Sequence, residues 1–209
     1  MGLKRFLKHR RMHRRKRVFG IGLQRTGTAT LHRAFGMLDL QSIHFFPSYI
    51  YARPEDVLVD KIADFRLFDR YDAFSDNPTP FLFRQLDAWY PGSRFVLTVR
   101  DTPSWLASVE WLFSKGREKW KWGPWEHYVH QRLYGFRDSA FSARVARDVY
   151  ERHNDSVREY FEKRAADLLI IDWHATGDWE ALCRFLGKPA PSAPIPHLNQ
   201  RTTESTRAP

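Results

Sequence analysis

The chain has 209 residues, 43% of them hydrophobic and 28% charged, which is enough for one α/β domain with a buried core. Its single cysteine, Cys183, excludes a disulfide framework within the chain and fits a reducing, cytoplasmic setting. No apolar run approaches the ~20 residues of a membrane-spanning helix. The net charge of +10 is unevenly placed: nine of the 34 Lys and Arg residues fall within residues 1–17, which hold no acid, so the body carries 25 basic against 24 acidic residues. The stretch 1–17 has no apolar run of the secretory type, and Phe6 stands where myristoylation wants Ser or Thr. It reads as a basic, disordered arm. The alternative is a contact with an anionic membrane surface or a polyanion through residues 4–17, with no specific nucleic acid expected.

The body, residues 18–200, reads as alternating strands and helices. A strand over 18–22 is followed by a glycine-punctuated loop and a helix over 28–38, with Leu31, Phe35 and Leu38 on one face. Residues 42–46 form a second strand, and Pro54 opens a helical stretch that runs through Val57, Ile62 and Phe65. Residues 71–75 form a third strand, ended by Asp76, Asn77 and Pro78. A helix from Pro80 follows, then the clearest strand, 94–99, rich in β-branched and aromatic residues. Thr102 and Pro103 suit the N-cap and first position of the next helix. Residues 111–125 interleave Trp111, Trp120, Trp122 and Trp125 with Lys115, Arg117, Lys119 and Lys121, and read as an irregular excursion between helices. A long helix over 141–164, a fifth strand over 167–172 and a last helix from 178, closed by Gly187, complete the domain. Residues 189–196 are proline-rich and extended, and 201–209 form a disordered tail. The fold class is therefore a single P-loop-like α/β domain, with a central parallel sheet of about five strands and helices on both faces.

The strand-loop-helix at 18–38 aims backbone N–H groups and the positive end of a helix dipole at one point, where a phosphate or sulfate belongs. Gly22 and Gly27 have the spacing of a Walker loop, but Thr28 stands where a nucleoside triphosphatase needs lysine. The cation comes earlier, at Arg25, ahead of Thr26, Gly27 and Thr28. In a parallel sheet, ligands bind beyond the strand C-termini. The loop at 22–28, Asp76 after the third strand and Arg100 after the fourth all lie at that edge. Arg100 offers a fork for a phosphate, and Ser108, eight residues on, offers a hydroxyl from the next helix.

The Arg-Thr-Gly-Thr loop resembles the phosphosulfate-binding loop of sulfotransferases that use 3′-phosphoadenosine 5′-phosphosulfate (PAPS). The spacing of Arg100 and Ser108 resembles the 3′-phosphate-binding element of the same family. Residues 18–34, 72–78, 95–108 and 168–199 together resemble a compact, bacterial-type group. That group carries an Asp-x-Pro after the third strand, here Asp76 and Pro78. It also carries a C-terminal Phe-Leu-Gly and Pro-His-x-Asn segment, here Phe185, Leu186, Gly187, Pro196, His197 and Asn199. The resemblance implies nucleotide binding and transfer of a sulfuryl group from PAPS to a hydroxyl or amine, with no metal required. The acceptor is a small molecule or a glycan. It implies donor contacts from Gln24, Arg25, Thr26, Gly27, Thr28, Ala29, Thr30, Arg100 and Ser108, and from Asn199 and Arg201 in the C-terminal segment, beside His197. An arginine cannot give up a proton near neutral pH, so Arg25 contributes charge alone.

Asp76 is the candidate base, its alternative being a turn former before Pro78. His44, at the end of the second strand, is the second candidate, its alternative being a core histidine. The tryptophans of 111–125 read either as an acceptor lid or as core. His127 and His130 lack a third ligand for a metal. Two other functions fit parts of the chain. One is a P-loop small-molecule kinase with Asp172 as its acid. The other is a non-catalytic protein that binds anions, nucleic acid or a membrane surface through the basic arm.

Overall fold

The computed structural model describes residues 16–135, 141–176 and 179–196. Strands β1 (Val18–Gly20), β2 (Ser42–His44), β3 (Ala73–Ser75), β4 (Arg94–Thr98) and β5 (Leu168–Ile171) form one parallel sheet in the order β2-β3-β1-β4-β5. The α/β class and the five parallel strands expected from the sequence are those observed. Central β1 is buried along its whole length, as its unbroken apolar run requires. Its register sets Phe19 beside Phe74 and Phe95, and Val18 beside Ala73. Side chains alternate across a strand, so the sheet builds two cores. One face gathers Phe19, Phe74, Phe95, Leu97, Val157 and Phe161. The other gathers Val18, Ala73, Val96, Leu31, Phe35 and Leu182.

The covering helices are α1 (Thr28–Met37), α2 (Thr79–Trp89), α3 (Thr102–Trp111), α4 (Pro124–Tyr134), α5 (Ala143–Phe161) and α6 (Glu180–Leu186). Among the described residues no helix is long and apolar enough to cross a membrane. A third apolar cluster, with Leu23, Trp105, Val109, Phe113, Tyr134 and Tyr150, lies beyond the strand ends and braces the loop after β1. Arg17, the last residue of the basic stretch, is buried, and its Nε donates to the Phe68 carbonyl at 2.9 Å.

Two segments differ from the sequence reading. The stretch after Pro54 is a 3-10 helix, Pro54–Val59, with a separate helical turn at Leu67–Arg70. Asp60 ends the first piece in the left-handed conformation at φ 51°, and Tyr51 then pairs with Ile62 in an isolated antiparallel bridge. Residues 111–125, expected as an irregular excursion, are irregular over 120–123 alone. Helix α3 continues as a π turn, Leu112–Gly116, and a further turn, Arg117–Lys119, before Gly123 and Pro124 open α4. A π turn inserts an extra residue, so Trp111, Leu112 and Phe113 fall off the helical period that a sequence search looks for.

His130 and His153 are buried histidines of α4 and α5. Burial pushes the His130 pKa down to about 3 and lowers that of His153. In the unfolded chain both titrate near 6.5. The folded chain therefore keeps its full stability above about pH 6.5 and loses up to about 1.4 kcal/mol per pH unit for each such group as the pH falls toward the folded values. Urea unfolding at about pH 7.5 and about pH 5 checks this. We expect a clear loss at the lower pH and a smaller one in His130→Phe; an equal loss in both proteins would contradict the assignment.

Candidate functional site

The site begins where β1 ends. Ile21 keeps one more sheet bond, donating its N–H to the Val96 carbonyl at 2.8 Å. The loop that follows is fastened from every side. The Thr79 hydroxyl donates to the Gly20 carbonyl at 2.6 Å, His153 Nε2 to the Ile21 carbonyl at 2.7 Å, and the Trp105 indole to the Gln24 carbonyl at 3.0 Å. Thr26 Oγ1 donates to the Leu23 carbonyl at 2.6 Å and lies 2.6 Å from Thr98 Oγ1. Gln24 Nε2 donates to the Tyr134 hydroxyl at 2.5 Å. Of the residues predicted to hold the donor, Gln24 and Thr26 thus turn their side chains into the protein and brace the loop.

Two glycines set the loop's shape. A Cβ on Gly22 would stand 2.1 Å from Thr98 Oγ1 and 2.4 Å from the Thr98 carbonyl oxygen, so only glycine fits there. Gly27 adopts φ +95°, and its Cβ would meet Trp173 Cδ1 at 2.3 Å. Helix α1 starts at the next residue, with Leu31 N donating to the Gly27 carbonyl at 3.0 Å. Thr28 and Ala29 open its first turn, where helical N–H groups find no partner within the helix, and no acidic residue stands there. An anion suits this turn on both dipole and hydrogen-bonding grounds. The buried Trp173 Nε1, set against Gly27, has no hydrogen-bond partner among the described residues and is a further unused donor at the loop.

Arg25, at φ 70°, sends its side chain toward α3. Its Nε donates to Ser108 Oγ at 2.8 Å, and its Cζ lies 5.4 Å from the Trp111 ring and 5.8 Å from the Trp120 ring. Arg100 is anchored by its backbone, through bonds of 2.8 and 2.7 Å with the Tyr150 hydroxyl, and its Nε donates to Ser104 Oγ at 2.7 Å. Ser104, Ser108 and Trp111 occupy successive turns of α3, so that helix carries the partners of both arginines. Its N-cap is Asp101 rather than the expected Thr102, because the Asp101 carboxylate accepts from Ser104 N at 2.9 Å.

On the other side of α1, the register of β2 on β3 sets His44 opposite Ser75, so Asp76 follows directly beside it. His44 Nε2 lies 3.2 Å from Asp76 Oδ2 and 3.2 Å from Thr28 Oγ1. Asp76 adopts φ 64°, and its Oδ1 accepts from Asn77 N at 2.7 Å and Asn77 Nδ2 at 3.1 Å. The peptide bond from Asn77 to Pro78 is cis. The His32 ring lies 5.6 Å from that of His44, and His32 Nδ1 is 2.8 Å from Ser42 Oγ. Burial, with the nearby His44 and Arg33, lowers the His32 pKa and favours its neutral form. The two candidate bases therefore stand as one cluster, joined to the first turn of α1 through Thr28.

The tryptophan segment divides. Trp111 and Trp120 reach Arg25, whereas Trp122 stacks on buried His130 at 4.2 Å and Trp125 packs against the main core. Among the described residues no three His, Cys, Asp or Glu side chains stand together as a metal-binding group. His197, Asn199 and Arg201 lie outside the described residues. Trp173 escaped the sequence reading, although it follows β5 at the same edge where Arg100 follows β4. The braces Thr79, Thr98, Trp105, Tyr134 and His153 carry no local signal, because each acts only through a distant part of the chain.

A family model described as a sulfotransferase domain matches residues 17–203. A relative from Aspergillus versicolor, named Ava biosynthesis cluster protein M, is 27% identical over 227 aligned positions that cover 91% of this chain and 85% of the relative. The match spans every strand and helix that shapes the loop, the two arginines and the His44–Asp76 cluster, and the chain belongs to the sulfotransferase family.

Proposed function

We propose that this sulfotransferase takes its sulfuryl group from PAPS and delivers it to the hydroxyl, or amine, of a small acceptor. One observation carries the reading. A single turn of helix, the start of α1, has Arg25 just before it and Thr28 bonded to the His44–Asp76 cluster within it. A cation and a base thus flank one anion-binding point.

The donor fits the residues present. The amides of Gly27, Thr28 and Ala29 take the 5′-phosphosulfate, and the unpartnered Trp173 indole N–H lies within the same cradle. Arg100, with Ser104 and Ser108 on the helix beside it, takes the 3′-phosphate; a guanidinium fork suits a phosphate better than a point charge does. Thr28, where a kinase loop has lysine, is engaged with His44 instead. The name of the Aspergillus versicolor relative, a biosynthesis cluster protein, supports a small-molecule acceptor, with a carbohydrate still among the candidates. The basic residues 4–17 fit a peripheral contact with an anionic surface, and the cytoplasm remains the proposed location.

In the reaction, the acceptor oxygen attacks sulfur in line as the bond from sulfur to the bridging phosphate oxygen breaks. Negative charge grows on that oxygen, where Arg25 and the loop amides stabilise it. The acceptor's proton goes to the His44–Asp76 pair. The carboxylate, an acceptor only, orients the His44 ring through its Nε2–H. His44 is also the more accessible partner, its side chain 27% exposed against 11% for Asp76.

Two variants test this with labelled PAPS and a panel of hydroxyl acceptors. Asp76→Asn and His44→Gln should each lower kcat about 10²–10⁴-fold, leave nucleotide affinity close to native, and combine with no further loss, because the two act as a unit. Native kcat in Asp76→Asn would remove the pair from the mechanism, and failure of the native chain to transfer label to any acceptor would count against the donor assignment.

A further inference from the structure

The π turn after α3 has a consequence at the donor site. The helix runs on through the turn, with Trp120 N donating to the Gly116 carbonyl at 2.9 Å, and the Trp120 ring meets that of Trp111. The two indole rings stand 5.4 Å apart at 77°, close to perpendicular. The Arg25 guanidinium sits within cation–π range of both. Gly116 makes room for this corner: a Cβ there would stand 3.0 Å from Trp111 Cζ3 and 3.2 Å from Cε3. Trp120 remains 45% exposed, in a stretch whose neighbours Lys115, Lys119 and Lys121 are also exposed. A large indole left in water beside an anion-binding loop calls for a reason other than core packing.

We propose that Trp111 and Trp120 are positioning residues, an indole corner that holds the Arg25 guanidinium at the mouth of the phosphosulfate loop. The inference rests on the reading that Arg25 carries charge for the transferred group. It accounts for the choice of cation. An arginine side chain is long and rotamer-rich, and a cation serves catalysis only where it is fixed. A planar guanidinium can lie on aromatic faces, whereas a compact, strongly hydrated ammonium gains less there. An arginine in the loop and a pair of tryptophans some 90 residues later in the sequence are thus parts of one device. The π turn supplies the geometry: in an uninterrupted α-helix positions nine apart lie on opposite faces, and the extra residue brings Trp120 round toward the side of Trp111.

Two readouts separate the corner from the donor assignment. The first needs no ligand. In nitrogen-15 NMR spectra of the free protein, the Arg25 Nε–H signal, assigned by its loss in Arg25→Lys, should be displaced by the ring currents of the indoles. It should return to the position of a solvated arginine in Trp111→Leu and stay displaced in Trp111→Phe. An unshifted signal in the native chain would overturn the proposal. The second is calorimetric binding of adenosine 3′,5′-bisphosphate. Trp111→Leu should weaken binding by up to about tenfold, Trp111→Phe should retain most of the affinity, and Trp111→Leu should add nothing in an Arg25→Ala background. Gly116→Ala, which suits a helix better than glycine but crowds the Trp111 ring, should weaken binding without lowering the urea midpoint. An equal loss from Trp111→Leu with and without Arg25 would mean general packing damage and would overturn the proposal. A displaced NMR signal in a native chain that binds no bisphosphate would leave the corner standing and sink the donor reading.

Discussion

The site depends on one close approach: Gly22 against Thr98. The loop after β1 passes so near the end of β4 that a single methyl at Gly22 would collide with both the hydroxyl and the carbonyl of Thr98. That approach seats Thr26 on Thr98, turns the chain at Arg25 and Gly27, and sets the direction in which α1 leaves the sheet. Because α1 also carries Thr28, the same contact fixes how the anion-binding turn meets His44. Seven residues of loop therefore link the central strand, Arg25 and the His44–Asp76 pair, and a shift at its start would be felt at all three.

The loop is held by groups whose polar atoms would otherwise be buried and unpaired. Carbonyls of Gly20, Ile21 and Gln24 each accept from a side chain of a different helix: Thr79 of α2, His153 of α5 and Trp105 of α3. Leaving any one of them without its donor costs about 1–3 kcal/mol, so the loop geometry is tied to the packing of the whole domain. An electrostatic site works when its dipoles need no rearrangement as charge develops, and these distant braces supply that rigidity. The first two amides of α1 and the unpartnered Trp173 indole N–H stand at that same loop.

The sheet was legible because its signals are local. Buried strands such as Arg94–Thr98 read as short β-branched runs, and the glycine spacing between Gly22 and Gly27 marks a tight strand-to-helix loop. Arg25, Asp76 and Arg100 were legible for the same reason, since each follows a strand, and Ser108 was legible from its spacing after Arg100. Their pairing was not. Ser108 bonds to Arg25, and Arg100 turns to Ser104 one helical turn earlier, a choice set by tertiary packing. The joining of His44 to Asp76 follows from the register of β2 on β3, which no local pattern encodes. The π turn hid the helical nature of residues 112–119 by breaking the period, and with it the route by which Trp120 returns to Arg25.

The central claim is that the edge of this sheet recognises a nucleotide bearing phosphates on both the 3′ and 5′ positions. Calorimetric titration of adenosine 3′,5′-bisphosphate, set against ADP with and without magnesium, tests it most directly, with Arg100→Ala as the control. The account predicts binding of the bisphosphate that needs no magnesium, is tighter than that of ADP, and falls on the order of a hundredfold when the arginine fork is removed. Equal affinity for ADP, or a bisphosphate affinity untouched by Arg100→Ala, would contradict it.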